Sequence, residues 1–280
     1  RFGAGGNPGC WGGGFTAERC CDEGGWEPEE VAEFHQALQT DWGRRCDGRR
    51  DIYDGGRPAP WVEGLYQELV FFFAYLRAGA QSSIRRHALE FAAALDPLTP
   101  LDARLRRLLT RDERRRAIDP PRRVQVLDVG SGPLSLLGYI WPGVDVELTA
   151  ADPLACEYGE MRRDLGLQVP LMAQPRAIEA ERLAEAFGPM AFDAVHCTNA
   201  LDHSYDPVLG MAEMLRVVRR GRPVLLQHSR NEAEKNGYAG LHQWNLDVHE
   251  GRFIAWQPER SGGGGAGAGG GASSLREVDV

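Results

Sequence analysis

Between Val124 and Trp256 short apolar runs alternate with amphipathic stretches, and each change of period predicts a change of element. Val124–Val129 has the composition of a buried strand, and Leu134–Ile140 that of a helix. The pattern then predicts a strand over Asp145–Ala151 and a helix over Ala155–Asp164. A short segment at Val169–Ala173 and a helix near Ala180–Phe187 follow. Phe192–Cys197 and Pro223–Gln227 are the next strands, with a helix over Pro207–Arg219 between them. Such alternation is the mark of an α/β fold, expected here as a doubly wound, mostly parallel sheet of the seven-stranded type with helices on both faces. Ligands of such sheets bind at the carboxyl ends of the strands, where the strand order switches.

Upstream the period is helical. Val62, Leu65, Tyr66, Leu69, Val70 and Phe73 form an apolar stripe that ends near Gly79. A second helix is expected from Ser82 to Leu95, stopped by Asp96-Pro97, and a third from Leu101 to Ile118. Pro120-Pro121 closes this region. The first sixty residues are rich in Gly, Cys and Trp, with one helix suggested by Glu27-Pro28-Glu29-Glu30 and the spacing of Val31, Phe34 and Leu38. Beyond Pro258 lies the Gly-rich stretch "SGGGGAGAGGGASS", after which "LREVDV" could start an edge strand. The expected organisation is an extension over 1–60, a helical cap over 61–121, a ligand-binding α/β domain over 122–258, and a linker with tail over 259–280.

Composition adds exclusions. A net charge of −8 gives no general attraction to nucleic acid or anionic membrane. The apolar run "LVFFFAYL" is far too short to span a bilayer, and no signal peptide is expected at the start. The compartment and the oligomeric state stay open. Nine arginines and four acids lie between Pro97 and Arg123, a cluster read as a solvated helix face because Lys235 is the sole lysine and arginine is general here. Cys10, Cys20, Cys21 and Cys46 match no zinc ribbon or finger, so disulfides and free thiols are the alternatives. No set of His, Cys and carboxylates has metal-ligand spacing, and no metal is expected.

The first strand runs into the turn Gly130-Ser131-Gly132, a geometry that can hold a nucleotide-like ligand against backbone N–H groups. Two ligand classes use it, dinucleotides and S-adenosylmethionine. The dinucleotide fingerprint needs a third glycine where Ser135 stands. Asp128, inside the strand end, would oppose a pyrophosphate yet attract an ammonium group. Asp152 ends the second strand, where a carboxylate can bind ribose hydroxyls.

The segments "VLDVGSGP", "ELTAADPL", "IEAERL" and "FDAVHCTNALDH" resemble, in order and spacing, the motifs of class I S-adenosylmethionine-dependent methyltransferases of the type 11 kind. The resemblance covers Arg122 to Trp256. It implies that Asp128, Gly130, Ser131 and Gly132 cradle the methionine end of the cofactor and that Asp152 holds the ribose. Pro153 and Leu154 would flank the adenine, Glu179 would face its amino group, and Thr198, Asn199 and Ala200 would line the cofactor. This chain departs from the family pattern at Leu134, where a third glycine is usual, and at Arg219-Arg220-Gly221-Arg222, where Lys-Pro-Gly-Gly is usual. "NALDHSYDP", followed by the His-x-x-Asn-Glu and Gly-Leu-His-Gln-Trp-Asn motifs, resembles one subgroup of the family, and no substrate follows from it.

Methyl transfer from a sulfonium is an in-line displacement, and a hydroxyl acceptor also needs a base. His203 and His228, at the ends of the fourth and fifth strands, are the candidate catalytic residues. Asn231, Glu232, His242, Gln243, Trp244 and Asn245 are candidates to bind a small-molecule or glycan-like acceptor. His196 and Cys197 fall within a strand and are read as packed. The expected activity is O-methylation with S-adenosylmethionine. The alternatives are an NAD(P)-dependent oxidoreductase and a methyltransferase-like binding protein without turnover.

Overall fold

The computed structural model describes residues 59–80, 85–113, 123–167, 171–238, 241–258 and 273–279. The proposed extension helix and the four N-terminal cysteines lie outside these residues. Three helices come first: α1 (Ala59–Ala80), α2 (Arg85–Leu95) and α3 (Ala103–Glu113). Strand β1 (Val124–Val129) then pairs in parallel with β2 (Val146–Ala151) on one side and β4 (Ala194–Thr198) on the other. With β3 (Pro175–Arg176) and β5 (Val224–Gln227), the sheet has the order β3-β2-β1-β4-β5, every pair parallel. The order reverses at β1, so a crevice opens between the carboxyl ends of β1 and β4.

Both faces of the sheet are covered, which is why its strands read as nearly continuous apolar runs. Val126 and Ala194 face Leu101, Leu105 and Leu109, the last two on α3. Leu127, Val129, Val195 and Cys197 face Met211, Met214 and Val217 of α6 (Pro207–Val217). Before α6 come α4 (Ala155–Asp164) and α5 (Leu183–Phe187). The helix α6 starts where Asp206-Pro207 dictates: the Asp206 carboxylate accepts the Leu209 N–H at 3.0 Å, and Pro207 needs no partner in the first turn. The Arg219–Arg222 departure lies in a structural turn. Gly221 has φ 66°, and Arg219 bonds the buried Asp193 carboxylate at 2.7 Å, the same group that accepts the Gln125 N–H.

Two expectations need correction. Residues 134–140 form no helix; Tyr139 and Ile140 donate instead to Thr99 O, Leu101 to Ile140 O, and Asp102 to Leu137 O. Gly138, at φ 74°, makes this possible, since a Cβ there would stand 2.2 Å from Pro100 O. The apolar run is buried by a strand-like neighbour rather than by winding into a helix. Nor, among the described residues, do the strands form one seven-stranded sheet. After a single-turn α7 (Glu232–Lys235), β6 (Asn245–His249), β7 (Arg252–Pro258) and β8 (Ser273–Asp279) make a separate antiparallel sheet, with β8 supplying the expected edge strand. Glu250 and Gly251, at φ 50° and 79°, set the two-residue hairpin that turns β7 back on β6.

Candidate functional site at the carboxyl edge of the sheet

The glycine turn sits at the head of the crevice. Gly130, at φ 65°, lies so close to Ala200 that a Cβ would meet that methyl at 2.2 Å, which brings the β1 and β4 loops together. The turn amides are already engaged. The N–H groups of Gly130 and Ser131 donate to Ala151 O at 2.8 and 3.2 Å, and that of Gly132 donates to Asp152 Oδ2 at 2.9 Å. The other Asp152 oxygen accepts the Leu154 N–H at 2.8 Å. Asp152 is only 6% exposed, so it is not a loose carboxylate in an open cleft but a brace between turn and strand end.

Asp128 is also spoken for. Its Oδ2 accepts the Ser135 hydroxyl at 2.6 Å, and its Oδ1 meets His196 Nδ1 at 2.7 Å. His196 Nε2 in turn meets Thr198 Oγ1 at 2.8 Å. Ser135, which stands in place of a fingerprint glycine, and His196, read from the sequence as packed, thus form a buried polar chain with Asp128. Glu179 is buried and accepts the Tyr205 hydroxyl at 3.0 Å.

Across the crevice, the 3-10 turn Leu201–His203 follows β4 and carries the densest polar cluster. Asp202, 2% exposed, places Oδ2 2.8 Å from His242 Nδ1 and 3.6 Å from His203 Nε2. His203 Nε2 is 3.2 Å from His242 Nδ1, the rings meeting edge to face. His228 Nδ1 lies 3.4 Å from Asp202 Oδ1, both atoms buried without a well-formed hydrogen bond, and His228 Nε2 is 3.9 Å from Cys197 Sγ. From α1, Glu68 brings Oε2 to 4.0 Å from His203 Nδ1. Trp61 fixes α1 here by donating its indole N–H to His203 O at 2.7 Å, and its ring packs edge-on against Tyr205.

The electrostatics follow from burial. Burial lifts Glu68 to about 8, reinforced by the Asp152 charge, so it is protonated at neutral pH. Burial pushes His203 down to about 4, which leaves it neutral. The Glu68–His203 contact is therefore not an ion pair at pH 7. For Asp202 burial acts upward, yet His203, His228 and His242 together hold the carboxyl far below its usual range. His242 is raised despite burial, because Asp202 bonds its Nδ1.

Of the residues expected at the acceptor side, His242 joins this cluster and Glu232 senses it. Burial raises Glu232, as does the Asp202 charge, and its Oε2 is buried without a hydrogen bond, like Asn231 Oδ1. The others serve the scaffold. Trp244 is 5% exposed and packs in the core with Phe253 and Met211, so it is not a substrate-stacking ring. Asn245 is fully buried, accepting Glu234 N–H and donating to the Tyr238 hydroxyl. Gln243 donates to Tyr238 O at 2.9 Å. Asp202 and Glu68 were missed. Asp202 stood beside His203 in "LDH", and Glu68 was the one acid inside the apolar stripe "LYQELVFFF".

No protein-family model and no curated protein matches the sequence. Solved structures do. Phosphoethanolamine N-methyltransferase 2 of Haemonchus contortus, bound to phosphomonomethylethanolamine and S-adenosylhomocysteine, matches at 16% identity and a TM-score of 0.36 over 55% of this chain and 36% of its own. The [4+2]-cyclase SpnF matches at 18% and 0.35 over 60% of each chain. A SAM-dependent methyltransferase of Aquifex aeolicus matches at 18% and 0.28 over 44% of this chain and 66% of its own. The matched region spans less than two thirds of the length of each of these structures.

Proposed function

We propose that this protein is an S-adenosylmethionine-dependent methyltransferase acting on a hydroxyl of a small-molecule or glycan-like acceptor. The observation that carries the proposal is the charge of the crevice. Asp128, Asp152, Glu179 and Asp202 are all buried at the carboxyl edge of the sheet. Buried carboxylates favour a ligand with ammonium and sulfonium charge and oppose a pyrophosphate. Two further features weigh against a dinucleotide. The amides of Gly130, Ser131 and Gly132 are bonded to the end of β2, and no helix follows the turn to offer a phosphate its N-terminus. S-adenosylmethionine has no phosphate and needs neither.

In this reading Asp152 lies beside the ribose, and Thr198, Asn199 and Ala200 flank the cofactor beside the turn. The acceptor hydroxyl meets the cluster of His203, His228 and His242 around Asp202. Transfer forms the O–CH3 bond, breaks the S–CH3 bond and leaves the thioether, while the hydroxyl proton leaves through that cluster. Calorimetric titration of the purified protein tests the proposal. S-adenosylmethionine and S-adenosylhomocysteine are expected to bind in the micromolar range, and hydroxylated acceptors to release S-adenosylhomocysteine. Binding of NAD(P)H with none of S-adenosylmethionine would overturn it; tight cofactor binding with no turnover on any acceptor would favour the binding protein instead.

A further inference from the structure

Asp202 Oδ2, His203 Nε2 and His242 Nδ1 converge on one point, and we infer that they hold a divalent first-row transition cation such as Zn2+. Their separations are 2.8, 3.2 and 3.6 Å. Nitrogen and oxygen ligands about 2.0–2.2 Å from one ion, at tetrahedral or octahedral angles, stand roughly 2.9–3.5 Å apart. The triad needs to move by only a few tenths of an ångström to surround an ion. Two imidazoles and one carboxylate are a donor set suited to zinc or ferrous iron, and three protein ligands leave a position open for another oxygen.

Hydrogen counting supports a cation independently of distance. An ionised carboxylate carries no hydrogen, and His242 Nδ1 carries at most one. If that hydrogen goes to Asp202, the 3.2 Å contact sets His203 Nε2 against a nitrogen with no lone pair to offer. If it is absent, His242 Nδ1 and Asp202 Oδ2 face each other at 2.8 Å as two acceptors. At 3.6 Å His203 Nε2 makes no hydrogen bond to Asp202 Oδ2, so hydrogen bonds alone do not join the three atoms, whereas a cation would bring all of them into one coordination sphere. The side chains are only 2, 12 and 13% exposed, so water does not readily fill that role.

The surroundings fit as well. His203 Nδ1, the ring nitrogen outside the triad, lies 4.0 Å from the Glu68 carboxyl. The second oxygen of Asp202 lies buried beside His228, outside the triad. Among the described residues this is the sole grouping of His, Cys, Asp or Glu that brings three such donor atoms together. Cation binding stands on the triad alone. Its use rests on the methyl-transfer reading: an acceptor oxygen in the open position would give up its proton more readily, with His228 as the cluster histidine left outside the triad to take it, and so attack the methyl group at neutral pH.

The test measures the ion itself. The full chain, stripped with a chelator and titrated with Zn2+, is expected to bind one equivalent. Co2+ in its place should give visible absorption without sulfur-to-metal charge-transfer bands. His203→Ala, His242→Ala and the near-isosteric Asp202→Asn should each weaken Zn2+ at least ~100-fold, beyond the loss typical of outer-shell partners. His249→Ala, an exposed histidine outside the cluster, should bind as the parent does. Circular dichroism checks that each variant is folded. Absence of a stoichiometric ion in the folded parent would overturn the inference. So would thiolate bands, or Zn2+ affinity unchanged in a folded Asp202→Asn. S-adenosylmethionine titrated into the same samples keeps the two proposals apart, because an ion bound without cofactor sinks only the methyl-transfer reading.

Discussion

Replacing Asp152 with alanine separates a brace from a simple ligand contact. The carboxylate accepts the buried Gly132 and Leu154 N–H groups at 2.9 and 2.8 Å, and nothing in alanine replaces it. A buried donor left unpaired costs about 1–3 kcal/mol, so two of them cost roughly 2–6 kcal/mol. For a protein of this size roughly 2–4 °C of melting temperature goes with each kcal/mol, which gives a fall of about 4–24 °C. Cofactor affinity should fall on the same variant, because Gly132 loses the bond that fixes it under the ligand. Asp152→Asn keeps one acceptor oxygen but turns an amide N–H toward the other donor, so its loss should be close to half. Thermal melts and calorimetric titration with S-adenosylmethionine, run on parent and both variants, make the check. A melting temperature within about 2 °C of the parent in Asp152→Ala would refute the brace and leave the carboxylate only the ribose-binding role that the sequence suggested.

Glu181 should make stability depend on pH. Burial lifts its carboxyl to about 7 from an ordinary value near 4.5, against the Asp206 N–H that bonds it. The folded state therefore keeps a proton that the unfolded chain gives up, and this contribution is lost as pH rises from about 4.5 through about 7, by at most ~3 kcal/mol. Denaturant titrations should find Glu181→Gln flatter across that window, and an unchanged pH slope would count against it. Trp244→Ala should cost about 3–5 kcal/mol as a core truncation. Equal denaturation midpoints for variant and parent would restore Trp244 to the acceptor side.

What the sequence determined by itself was everything carried by local periodicity and local caps. The strands β1, β2, β4 and β5 and the helices α1, α4 and α6 were all legible, since burial on one face leaves its period in the chain. The same holds for the turn at Gly130 and the acids at the ends of β1 and β2. Tertiary structure decided which partner each residue meets. Leu134–Ile140 has a helical composition, but residues 99–102 take its hydrogen bonds, and no local signal reports a partner so distant. Asp128 and Asp152 were found as acids at the site, but whether a carboxylate faces a ligand or a backbone N–H depends on the fold around it. The cluster of Asp202, His203 and His242 shows the same limit. Its third member lies 39 and 40 residues from the other two, and Glu68 comes from a helix before the first strand. Motif spacing registers donors on one turn or hairpin. Donors gathered from separate loops at one sheet edge share no spacing, because their meeting is fixed by how the strands order and the loops pack.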